Sequence, residues 1–175
     1  MNTYQRIKLP YELNELEPII YFKTMYYHYH ILHKNYEVKL AEALGGTDLE
    51  EFPTLEELMK NLKRLPSEIK EEVHFFGGGL INHNFYFTHL TKFKVSSKEP
   101  EFEEKIGLGL LNLIQEKFTN LEKLKKELLK STLKVRGSGW TWLVLNKQRE
   151  LEVINTANQD GPWSLNLRPL IAIDV

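Results

Sequence analysis

The sequence predicts an α+β fold, with an N-terminal long helical hairpin and a C-terminal α/β part built on a three-stranded antiparallel sheet. Three observations predict it. Apolar residues up to His89 recur at helical spacing, a polar stretch KFKVSSKEPE containing Pro100 divides the chain, and beyond Arg136 the apolar pattern shortens to that of strands. The division places a helical domain at residues 1–91, a linker at 92–99 and an α/β domain at 100–175.

The first predicted helix opens at Pro18, a residue suited to a first helical position, and runs through a Tyr-rich stretch to Leu44, where Gly45-Gly46 supplies a stop. Thr54 with Glu57 has the pattern of a capping box and opens a short amphipathic segment that Pro66 ends. From Ser67 to His89, the residues Ile69, Val73, Phe76, Leu80, His83, Phe87 and Leu90 follow one another at alternating steps of four and three. That is the spacing of one buried helical face. Past the linker, Phe102 to Phe118 reads as a helix, and Thr119 with Glu122 as a second capping box that opens a Lys- and Leu-rich helix to Leu133. GSGWTWLVLN, ELEVINTAN and LRPLIAIDV then read as strands, joined by turns at Lys147-Gln148-Arg149 and around Asp160-Gly161-Pro162. Short connections favour antiparallel pairing.

Composition narrows the function. With 42% hydrophobic and 27% charged residues, the chain has globular rather than disordered character. A formal net charge of −1 gives no basic field for nucleic acid. The absence of cysteine excludes a disulfide scaffold, a thiolate metal site and a cysteine nucleophile. MNTYQRIKLPYELNE lacks the apolar core of a signal peptide, and no uncharged apolar run approaches spanning length. The expectation is a soluble, cytoplasmic protein with no membrane or nucleic-acid partner, whose metal, if any, is held by His, Asp or Glu.

Six histidines occur. His74 and His89 read as helix-surface residues without a role, and His30 as structural or solvated. His83 differs because it interrupts an apolar stripe, where an imidazole needs a partner. It also follows Gly77-Gly78-Gly79, each of which costs a helix up to about 1 kcal/mol relative to alanine. Such glycines suit a place where something approaches the backbone closely. A core histidine bonded to a neighbouring helix and a metal ligand both fit. His28 shares its expected face with Leu32 and Tyr36 at successive i+4 positions, and Asp174 stands alone among the apolar residues of RPLIAIDV. Two histidines from two helices and an aspartate from a sheet make a nitrogen- and oxygen-rich set suited to Fe or Mn.

Five motifs, in order, resemble those of the iron/manganese superoxide dismutase family: LPYELNELEPII with MYYHYHILHKNY, GGGLINHNFYFTHL, GSGWTWLVLN, NTANQD and the closing IDV. The resemblance implies a metal held by His28, His83 and Asp174. It implies Tyr36 as the active-site tyrosine, Trp140 lining the pocket, and Gln159 hydrogen-bonding metal-bound solvent. It also implies one ion per chain and superoxide as substrate, with dioxygen and hydrogen peroxide as products. Iron-type members tend to carry the pocket glutamine four residues before the second histidine, and manganese-type members tend to carry it on the sheet. Gly79 and Gln159 therefore resemble the manganese type, with iron as the alternative metal.

The sequence departs from the family pattern in two places. The family's aspartate motif continues as Asp-Val-Trp-Glu-His-Ala-Tyr-Tyr, with its histidine as the last ligand, whereas the sequence ends at Val175. A C-terminally truncated enzyme is the expectation, without closing helices, with apolar surface exposed where they would pack, and with the family's homodimer in question. The other departure is Leu32, at a position where the family usually has a histidine in the substrate channel. A degenerate, non-catalytic relative with a weak metal site is the alternative reading.

Overall fold

A computed structural model describes residues 4–47, 51–92 and 106–175. The expected linker at 92–99 lies outside the described residues except for Lys92, as does the part of the predicted helix from Phe102 to Lys105.

The helical half is built from α1 (Phe22–Tyr26), a π-helical segment (Tyr27–His33) and α2 (Lys34–Ala43), which together form one rod, then α3 (Leu55–Lys60) and the long α4 (Ser67–His89). The rod begins four residues later than the expected Pro18. Residues 13–19 instead form turns, with the Ile19 and Ile20 amides bonded to the Leu16 carbonyl, and the Glu17 carboxylate takes the free Phe22 amide at 3.0 Å. These local bonds satisfy the backbone without a helix. At the other end the chain leaves α2 through Gly46 with φ +82°, a conformation that favours glycine. Thr54 caps α3 as its pattern predicts, accepting the Glu57 amide at 3.1 Å.

Helices α5 (Leu108–Phe118) and α6 (Leu121–Thr132) lead into β1 (Gly139–Leu145), β2 (Leu151–Ala157) and β3 (Arg168–Asp174). Helix α5 has Gly107 at its N-cap, and the expected start at Phe102 lies outside the described residues. The cap of α6 is Asn120, not Thr119: its side chain accepts the Lys123 amide at 2.9 Å, while Thr119 turns to φ 74° to close α5. All three strands are antiparallel in the order β2-β1-β3.

As the central strand, β1 is buried on both faces. Trp140, Trp142 and Val144 pack against Phe85 and Tyr86 of α4, while Leu143 joins Ile114, Leu124 and Leu128 of α5 and α6. The sheet therefore sits between the two helical layers, with α4 on one side. Trp163, from a 3₁₀ turn between β2 and β3, inserts into the helical core beside Leu80 and Ile81. As a result α4 is buried almost all round from Gly77 to His83, not along one stripe only. Among the described residues, no helix is long and apolar enough to cross a membrane.

Candidate metal centre

Three elements meet at one point. Helix α4 contributes His83, which is 1% exposed. Its Nδ1 lies 2.7 Å from the carbonyl oxygen of Gly79, one turn back. A carbonyl only accepts, so Nδ1 carries the proton and Nε2 the lone pair. The π-helical segment contributes His28, whose ring centroid is 5.0 Å from that of His83 at nearly a right angle. The end of β3 contributes Asp174, which pairs across the sheet with Trp140 and so shares its face.

His28 Nε2 lies 3.0 Å and His83 Nε2 3.8 Å from the same oxygen, Asp174 Oδ2. Neither nitrogen has a hydrogen-bond partner among the described residues, although both are buried. The His28–Asp174 contact is close but lacks hydrogen-bond geometry. The three donor atoms lie within 4.8 Å of one another. Donors sharing one first-row cation at about 2.0–2.2 Å are at most about 4.4 Å apart, so a small inward movement of the side chains would let all three bind a single ion. Two orphaned imidazole nitrogens and a carboxylate oxygen facing a common space are what a metal satisfies, and the donor set suits Fe or Mn.

Electrostatics keep the His83 lone pair available. Burial lowers the His83 pKa to about 4, with His28 lowering it further while Asp174 and the Gly79 bond oppose. An imidazole that is neutral at pH 7 is a ligand without first losing a proton.

Of the other residues expected at the site, Trp140 is fully buried with its ring 5.0 Å from His83. The Tyr36 ring lies 5.2 Å from His83, and burial together with Asp174 raises its pKa. Gln159 approaches from the loop after β2. Its backbone oxygen would lie 2.2 Å from a Cβ on Gly78, and its side-chain Oε1 is buried without a hydrogen-bond partner among the described residues. A Cβ on Gly79 would meet the Tyr36 ring at 2.4 Å. The close approach anticipated from the glycine run is therefore real, and it comes from Gln159 and Tyr36. His74 pairs with Asp160 at 3.2 Å, and His30 and His89 are exposed.

The i+4 face expected for His28, Leu32 and Tyr36 is not what forms. Leu32 is 42% exposed, and His33 is buried instead, its ring 5.5 Å from that of His83. In an α-helix position i+5 lies about 140° around from i, but a π-turn, closing i→i+5 bonds, brings it beneath i. Burial lowers the His33 pKa to about 3, helped by His83. Tyr86 also escaped the sequence reading: its ring is 5.6 Å from His28 and 5.9 Å from Trp140, and burial with Asp174 pushes its pKa up to about 12. Its spacing of i+3 from His83 was the available signal. Asn82, fully buried, joins the loop to α4, donating to the Gln159 carbonyl at 3.0 Å and accepting the Trp163 indole N–H at 2.8 Å.

Residues 3–91 match the family model described as iron/manganese superoxide dismutases, alpha-hairpin domain, and residues 106–175 match that described as iron/manganese superoxide dismutases, C-terminal domain. The two matches cover both helices and the strand that meet at the His28–His83–Asp174 cluster, and the chain belongs to the iron/manganese superoxide dismutase family.

Proposed function

We propose that this chain is a manganese-preferring superoxide dismutase that holds one ion with His28, His83 and Asp174. The observation that carries the proposal is the pair of buried, partnerless imidazole nitrogens facing one carboxylate oxygen. Manganese is preferred over iron because Gln159 comes from the sheet side and Tyr36 fills the space a glutamine at position 79 would need. The metal, when bound, supplies a one-electron couple between its trivalent and divalent states, by which one superoxide becomes dioxygen and the next, with two protons, hydrogen peroxide.

The chain's own residues do the rest. His28 and His83 offer imidazole nitrogens, and Asp174 a carboxylate that favours the higher oxidation state. Trp140 and Phe87 close the inner wall against water. Gln159 brings an amide to orient small polar species at the pocket. Tyr36, kept protonated by burial and by Asp174, holds a hydroxyl proton for the reducing half of the cycle.

Elemental analysis and a superoxide-consumption assay on the 175-residue chain test this reading. Near-stoichiometric Mn with activity is expected, and His83→Ala should lose metal retention. Equal metal content in the variant and its parent would remove His83 from the ligand set. Metal retention without activity would favour a non-catalytic relative, the reading to which exposed Leu32 points.

A further inference from the structure

Residues 5–7, ahead of the first helix, lie across both helices that carry the two histidines. The Arg6 guanidinium Nη1 donates to the Tyr29 carbonyl oxygen at 2.8 Å, inside the π-helical segment, and lies over the Tyr29 ring 4.8 Å from its centroid. The Arg6 backbone amide and Nε both donate to the Glu37 carboxylate, at 2.8 and 3.0 Å, on the first turn of α2. The Tyr29 hydroxyl donates back to the Ile7 carbonyl at 2.7 Å. On the other side, Asn84 of α4, next to His83, accepts the Ile7 amide at 2.9 Å and donates to the Gln5 carbonyl at 3.1 Å.

A π-turn is less favourable than the α-helix on either side of it and persists where other contacts hold it. The hydrogen-bond ladder is irregular there, since the Lys34 amide at its end turns to the Ile31 carbonyl, three residues back. If the segment relaxed to an α-helix, the residues after it would swing by about 100° relative to His28. His33 and Tyr36 would then leave the face they share with it. We propose that Arg6 is a positioning residue for His28: by bonding the Tyr29 carbonyl and anchoring to Glu37, it holds the π-turn that sets His28, His33 and Tyr36 on one face toward His83. The inference rests on His28 being a metal ligand.

The test uses metal-depleted chain titrated with Mn²⁺ alone, with free Mn²⁺ followed by electron paramagnetic resonance. Arg6→Met keeps the aliphatic stem and should weaken Mn²⁺ binding by about tenfold. Arg6→Lys, which keeps the charge but not the fork, should recover only part of that loss. Hydrogen exchange of the amides from Tyr29 to Lys34 should quicken in Arg6→Met more than exchange in α6, a difference that a uniform loss of stability would not produce. Tyr29→Phe, a milder change, should move both readouts the same way if Arg6→Met fails to fold. Parent-like Mn²⁺ affinity in a folded variant overturns the inference and leaves the proposed function intact. A parent chain that binds no Mn²⁺ overturns the proposed ligand set, and unchanged exchange across Tyr29–Lys34 then overturns the strap as well.

Discussion

At the residue scale, the glycines of α4 carry the clearest consequences. A methyl group at Gly78 would stand 2.2 Å from the backbone oxygen of Gln159, which cannot swing aside as a side chain can. Gly78→Ala should therefore destabilise the fold by about 1–3 kcal/mol, measured by urea denaturation. Asn82→Ala leaves the Trp163 indole N–H and the Gln159 carbonyl to find new partners in a buried setting. It should cost about 1–3 kcal/mol for each group left bare. The same variant should loosen the loop that carries Gln159, readable as faster exchange of the Asp160 amide. The glycine run marked a close approach in the sequence, but nothing local named what approaches. Gln159 is 81 residues away from Gly78 along the chain (159 − 78), and only the folded arrangement pairs them.

At the element scale, most helix limits followed from capping and breaking residues, and the misreadings have specific causes. Thr119 and Asn120 are both good caps, and the pattern with Glu122 favoured Thr119. The backbone favours Asn120, because Thr119 is taken up at φ 74° in ending α5. Asn120→Ala should cost about 1 kcal/mol. Thr119→Gly should be neutral or stabilising, since a β-branched residue with positive φ is strained. Thermal unfolding of the two variants would separate them, and equal losses would count against this assignment of the cap. The π-turn had no readable signal in the sequence. Its apolar spacing looked like an ordinary i+4 face, so Leu32 took the inward position on paper and His33 takes it in the fold.

At the scale of the whole molecule, the buried histidines couple folding to pH. His33 and His83 have pKa values lowered to about 3 and about 4 by burial, against an ordinary 6.5 in the unfolded chain. Below that value the unfolded chain binds more protons than the folded one, so stability rises with pH. The metal-free protein should therefore hold full stability from these groups above pH 6.5 and lose it progressively as pH falls from 6.5 toward 3. Chemical denaturation across that range checks the sign, and a flat profile would contradict it.

The amino-acid sequence alone determined the order of helices and strands and the antiparallel sheet, and its motifs singled out His28, His83 and Asp174 by resemblance, because periodicity, turn residues and motif content are local properties. It left open whether His83 was a core histidine or a ligand. Tertiary structure decided that His28, His83 and Asp174 bring their donor atoms within 4.8 Å of one another, since proximity across 146 residues (174 − 28) depends on packing and not on spacing. It also decided that His33 and Tyr86 pack beside the cluster, that Asn82 ties the Gln159 loop to α4, and that Arg6 reaches the Tyr29 carbonyl. The reason is the same in each case: a π-turn and long-range contacts rotate and dock whole elements, and no short stretch of sequence records that rotation.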